Sequence, residues 1–350
     1  MLKSAILAGA FLLFLQIHGF SQEITQLSVP AEFSYQFQLP GSQNNLLRPG
    51  RIVADSHTDE IYIADCGNNR IVIFSGQGVY KYQFSVSEYC GLPQDFAVDP
   101  SGRIYVLGST QRGREIHIFD YDGTYLDKME YSQKSGIDSR RLESIATDDN
   151  GNIWALDAFE KQIICITVEG EVCNRFPVVE DLSGERGNEL VFGSISVVGN
   201  VICLPVASLG TVYLYDLSGK FIKAIGYRGN NMGELNFPVS ATMTDNQIIL
   251  VLDKHRFAVV CYNFDGKFLG EFGGKGSSLG WFYHPAWLAV DDAGTIFIGQ
   301  VFLNRVQACH LPLFVTNRNA EFNNKDSSNS QLELTSKNNS TYTLDGGKLQ

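Results

Sequence analysis

The sequence predicts an all-β chain folded as a six-bladed β-propeller of four-stranded antiparallel blades. Three observations carry this. A strand–turn–strand phrase recurs five times, with turn glycines at Gly78, Gly123, Gly170, Gly219 and Gly266 spaced 45, 47, 49 and 47 residues apart, close to the period of one four-stranded blade. Two further strand signals precede each phrase. A sixth set lacks only its last strand, and a matching strand stands near the N terminus.

The elements follow in chain order. Lys3, the apolar run Ala5 to Leu15, and the small residues before Gln22 read as a secretory signal peptide over residues 1–21. The run is short for a membrane span, which favours cleavage over an uncleaved anchor. No cysteine marks a lipid-attachment site there. Glu32 to Leu39 has the pattern of an outermost (d) strand, matching Lys267 to Phe272. It is expected to complete the last blade and close the ring, removing the open edge; the alternative is that Leu311 to Thr316 fills that place.

The innermost (a) strands read as Arg51–Asp55, Asp95–Asp99, Ser144–Asp148, Ser194–Val198, Ser240–Asp245 and Trp287–Asp291. The b strands read as Glu60–Asp65, Arg103–Gly108, Asn152–Asp157, Asn200–Pro205, Gln247–Asp253 and Thr295–Gln300. Between them stand Asp/Asn–Gly turns such as Asp99-Pro-Ser-Gly102, in which the acid accepts local backbone bonds. The c–d phrases run Ile71–Phe84, Ile116–Tyr131, Ile163–Phe176, Val212–Gly226 and Ala258–Gly273, and Val306–His310 is the sixth c strand. Glycine at the third loop position suits a three-residue hairpin loop. The propeller is expected over residues 32–315. Residues 316–350, rich in Asn, Ser, Lys and Thr, read as a disordered tail.

Composition bounds the function. Apolar residues make up 44 % of the 350, with 23 Phe and 15 Tyr, enough for a large β core. The net charge is −11, which argues against nucleic acid as a partner, because phosphate binding rests on Lys and Arg. Seven cysteines include no CxxC pair, so a zinc cluster is not supported. In an exported chain two disulfides are reasonable: Cys165–Cys173 across a c–d hairpin, and Cys66–Cys90 on the face shared by b–c turns and blade connections.

Asp65-Cys-Gly-Asn-Asn-Arg-Ile-Val-Ile-Phe74 resembles the signature of the NHL-repeat family, and Phe302-Leu-Asn-Arg-Val306 echoes it. The glycine-rich stretches ending in Pro238 and Pro285 are similar to that family's inter-blade loops, as they are to exported bacterial six-bladed propellers. The resemblance implies a propeller but no single function, since propellers host many activities.

Two enzymatic readings can be weighed. Peptidylglycine amidating lyases, six-bladed secreted propellers, hold zinc through histidines that follow the inter-blade proline. Here those places carry Gly50, Gln94, Val239 and Ala286, and His57, His117, His255, His284 and His310 are scattered. A calcium-dependent lactonase-like site needs carboxylates gathered at the axis. Asp65, Asp157 and Asp253 end strand b in blades one, three and five and are the candidate ligands, although each could instead bind its own turn. The reading favoured is therefore a secreted or periplasmic module or scaffold that binds a protein, peptide or glycan, with no cofactor. A hydrolase or lyase using Ca or Zn at the channel mouth is the alternative. The candidate binding residues are Trp281, Tyr283 and His284 in an inter-blade loop, with His255, Arg256 and Arg70 on adjoining turns.

Overall fold

The computed structural model describes residues 32–310, apart from 42–44, 111–112, 133 and 179–189. The expected signal peptide and tail, and the alternative strand Leu311 to Thr316, lie outside the described residues.

Six four-stranded antiparallel sheets form the blades. Blade one spans residues 49–85, blade two 92–128, blade three 142–177, blade four 196–225 and blade five 238–273. Blade six takes a, b and c from 285–310, and its d strand is Glu32–Gln36, paired antiparallel with Arg305–His310. The a strands adjoin one another in ring order, the first against the sixth. The N-terminal strand thus closes the ring.

Strands b and c are buried on both faces because each blade is sandwiched between two others. They therefore read as continuous apolar runs, as in Glu60–Asp65 and Ile248–Asp253. The outer d strands alternate, as in Tyr80–Ser85. Each of six apolar clusters lies between adjacent blades. The one at the closure joins Phe37 and Ile52 to Phe74 and Phe297.

Every c–d hairpin has the expected three-residue loop; Thr167 N, for example, donates to Glu171 O, and Gly170 N donates back to Thr167 O. A bulge follows it each time. The closing strand repeats this bulge between Phe33 and Tyr35. The extra residue shifts the pairing, so Asn174, not Cys173, stands opposite Cys165. Cys173 is the bulged residue and is joined to Cys165, their Cα atoms 5.3 Å apart.

Blade four departs from expectation at its start. Its a strand is only Ser196–Val198. Ser194 instead donates its backbone N–H to Val239 O of blade five, and Ile195 N–H donates to Ser144 Oγ of blade three.

Candidate functional site

The winding of the strands gives the propeller two faces. Strand a runs from the face of the b–c turns and blade connections, here the upper face, to the face of the a–b and c–d turns, the lower one. These two faces differ in chemistry.

On the upper face, the aspartates that end strand b are engaged locally. Asp65 is fully buried and accepts from Leu47 N at 2.7 Å, Asn68 Nδ2 at 2.8 Å and Arg70 Nε at 2.7 Å. Asp253 accepts from the backbone N–H groups of Asn236, Phe237, His255 and Arg256. Asp157 accepts from Glu160 N and Gln162 Nε2. Each ties its b–c turn, and two also tie the incoming loop, so their oxygens do not converge on one ion. No group of three or more metal-ligating side chains occurs among the described residues. A side chain at position 50, where the lyases carry histidine, would meet Cys66 Sγ at 2.5 Å.

The Asn-Arg signature proves structural as well. Arg70 pairs with Asp65 and donates to Gln83, and Arg256 pairs with Glu271 at 2.7 Å. Arg305 is buried and donates to the carbonyls of Ser277, Ser278 and Trp281, pinning the loop below the exposed indole. It has no carboxylate partner among the described residues, because Gln300 occupies the place of the strand-end aspartate. Gln300 Oε1 accepts from Tyr283 N, while Gln300 Nε2 and Arg305 Nε are buried without partners among the described residues.

Of the predicted binding residues, Arg70 and Arg256 are therefore engaged within their blades. His255 is exposed and stacks on Phe237 at 4.7 Å. Trp281 is half exposed and lies over Gly274, where an added Cβ would approach the ring to 2.7 Å. Phe282 points the other way and is fully buried. His284 lies edge-on to Tyr283 and Phe302, with ring centroids 4.6 and 4.7 Å away. Tyr283, His284 and Phe302 thus form an aromatic patch, and Trp281 stands exposed on the same loop.

The patch is part of a wider pattern. Fifteen large apolar side chains are exposed among the described residues. Val79 and Tyr121 lie on c–d turns, and Tyr82 and Leu126 on outer strands. Ten others, including Leu47, Phe159, Tyr227 and Met232, lie on b–c turns and blade connections of the upper face, and Leu92 opens the a strand of blade two at that face. Sequence reasoning missed Phe302, Phe159 and Tyr227; their places next to strand-b ends or after strand d were the available signal.

Cys66 and Cys90 are free thiols, not the expected pair. Cys66 Sγ faces Pro93 O at 3.1 Å, and Cys90 is buried in the core between blades one and two. Burial pushes both thiols up to about 12, with Asp65 adding to the effect at Cys66.

The lower face opens into a cavity of about 430 Å³ along the axis, lined by the six a strands. At its inner end a polar chain passes from blade to blade. Arg51 of blade one donates to Ile195 O of blade four at 3.0 Å, crossing the axis. It lies 3.7 Å from Asp95 of blade two. Asp95 accepts from Ser144 Oγ of blade three, Ile145 N and Phe96 N. Burial drives the Asp95 carboxyl above its usual range against the pull of Arg51 and these donors. Arg51, Asp95 and Ser144 each stand two residues after Pro49, Pro93 and Leu142 near the start of their a strands, a signal present in the sequence but not used.

At the outer end, Asp55, Asp99, Asp148 and Asp291 hold their own a–b turns. Asp149, Asp245 and Asp292 are exposed at the rim and accept no hydrogen bond from the described residues. No helix among the described residues is long and apolar enough to cross a membrane.

The family model of the NHL repeat matches residues 46–74. No curated protein matches the chain. Among solved structures, a catalytically inactive virginiamycin B lyase from Staphylococcus aureus with Quinupristin is 14 % identical, with a TM-score of 0.54 over 78 % of this chain and 83 % of that one. A protein of unknown function from Bacteroides thetaiotaomicron is 12 % identical, with a TM-score of 0.57 over 81 % and 74 %. At such identities the likeness is one of fold.

Proposed function

We propose that this NHL-repeat six-bladed propeller is an extracytoplasmic binding module that receives a protein, peptide or glycan on its upper face. The observation that carries the reading is the segregation of exposed apolar groups: ten of fifteen lie on the b–c turns and blade connections, and an eleventh, Leu92, opens an a strand at the same face. Contiguous apolar surface rimmed by polar groups marks interaction sites, and Trp, Tyr and Phe are their usual anchors. The scaffold beneath is stiff. Asp65, Asp253, Arg256 and Arg305 fix the loops that display the aromatics, so little ordering is needed on binding. The N-terminal apolar segment supports export, and the net charge of −11 disfavours nucleic acid.

Peptide-display and glycan-array selections against the purified propeller test the reading. Each selected ligand is then measured on Trp281→Ala/Tyr283→Ala/Phe302→Ala, with melting curves to confirm the fold. The triple variant should bind at least a hundredfold more weakly, as expected when aromatic anchors are truncated. Ligands that bind wild type and variant equally would overturn this assignment of the aromatic patch.

A further inference from the structure

The axial cavity lies on the face opposite the aromatic patch, and its chemistry is independent of that patch. Its inner end is set by Arg51, whose side chain is 10 % exposed. The guanidinium has one hydrogen bond, from Nη2 to Ile195 O. Asp95 is no full partner, because its oxygens already accept from Ser144 Oγ at 2.6 Å and from two backbone N–H groups, and Nη1 stays 3.7 Å away. Nε and Nη1 thus make no hydrogen bond with the described residues, yet they are not sealed from the cavity that Arg51 lines. A buried guanidinium with free donors facing open space is a site for an acceptor, best a carboxylate.

The rim has the opposite character. Asp149, Asp245 and Asp292 stand exposed around the mouth with no cation paired to them among the described residues. Between floor and rim the walls are mixed: Val53, Val98, Leu288 and Val290 stand beside Thr147, Ser196, Thr242 and Thr244. From Arg51 to the a–b turn at Asp55 the strand advances four residues, about 13 Å at ~3.3 Å each. That depth accommodates a chain of several methylenes between a carboxylate and an ammonium. The volume of about 430 Å³ is that of a small-molecule site.

We infer that this funnel binds a small ω-ammonium carboxylate of the lysine type, its carboxylate on Arg51, its methylene chain between the mixed walls and its ammonium among the rim aspartates. A free basic amino acid and a peptide ending in lysine share this chemistry. A ligand carrying both charges satisfies both ends, whereas an anion alone must pass the acidic rim and a cation alone leaves Arg51 unanswered.

Calorimetric titration of the purified protein with 6-aminohexanoate, the minimal carrier of both groups, tests the inference. Binding is expected, with hexanoate and hexylamine each weaker by about tenfold or more, the loss of one charge-assisted bond. Arg51→Gln and, separately, Asp149→Asn/Asp245→Asn/Asp292→Asn should each weaken 6-aminohexanoate by about tenfold. The rim variant alters only exposed groups, so it keeps the test decisive if Arg51→Gln fails to fold. Free lysine and a tripeptide ending in lysine separate the two sources: comparable binding assigns the funnel to peptide ends, and binding of lysine alone assigns it to the free amino acid. No heat with 6-aminohexanoate at millimolar concentration, equal binding of hexanoate or hexylamine, or no loss in the rim variant would overturn the inference.

Discussion

Ring closure by the N-terminal strand rests chiefly on Phe37, so Phe37→Ala is the sharpest perturbation of the fold. The ring is 3 % exposed and meets Phe74, Tyr35 and Phe297 at centroid distances of 4.8, 5.4 and 5.7 Å. It thus links the strand that completes blade six to the c strand of blade one. A buried phenylalanine removes about 200 Å² from water. With roughly two thirds of that lost on truncation to alanine, the transfer cost is ~3 kcal/mol at ~25 cal/mol per Å². A compact unfolded chain lowers this by about a quarter. The residual cavity and the lost edge-on ring contacts return about 1–2 kcal/mol. The expected destabilisation is therefore about 3–4 kcal/mol, read from urea unfolding midpoints at unchanged slope. Val79→Ala, at a side chain 64 % exposed, is the control and should stay within about 0.5 kcal/mol. A loss below about 1 kcal/mol for Phe37→Ala would refute the closure, since it would mean that the strand leaves the ring without disturbing it.

Three further outcomes follow from the same contacts. Gln300→Glu should raise stability by about 1–3 kcal/mol in chemical denaturation, because it gives buried Arg305 the carboxylate that Arg70 and Arg256 already have; a destabilised variant would contradict that account. His117 is buried with neither ring nitrogen partnered among the described residues, and desolvation lowers its pKa despite Glu115 nearby. Its folded value lies below its unfolded value, so its contribution is present above about pH 6.5 and lost as the pH falls towards the folded value. His117→Phe should therefore gain stability relative to wild type on acidification below about pH 6.5, and a pH-independent difference would refute the assignment. Removing the Cys165–Cys173 link by Cys165→Ala/Cys173→Ala should cost about 2.5 kcal/mol by loop-closure entropy, measured by thermal unfolding against the oxidised protein.

The architecture was legible because its signals are local and repeated. Gly123, Gly170, Gly219 and Gly266 each adopt positive φ in the expected turn, and the pattern of residues 32–39 is that of the other d strands. The pairing across the c–d hairpins was not fully legible. A bulge leaves no mark in the pattern, so Cys173 seemed to face Cys165 directly, whereas Asn174 does. The signature aspartates and arginines were visible, but their role depends on which backbone N–H groups and carbonyls surround them. Asp253 holds four such N–H groups and Arg305 three carbonyls, and neither fact can be read from residue type. The axial chain was hidden for a different reason. Arg51 reaches Asp95 and Ile195, residues 44 and 144 positions away, and only the closed ring brings them together. The face-wise segregation of exposed aromatics likewise appears only when turns from all six blades are sorted by the side on which they emerge.

The central claim, that partners dock on the face of the b–c turns and blade connections, is tested most directly by amide hydrogen exchange with and without a selected ligand. Protection should appear in the loop 273–284 and at the turn 301–304, with the a–b turns 55–59 and 244–247 unchanged. Protection confined to the a–b and c–d turns, with 273–284 and 301–304 exchanging as in the free protein, would contradict it.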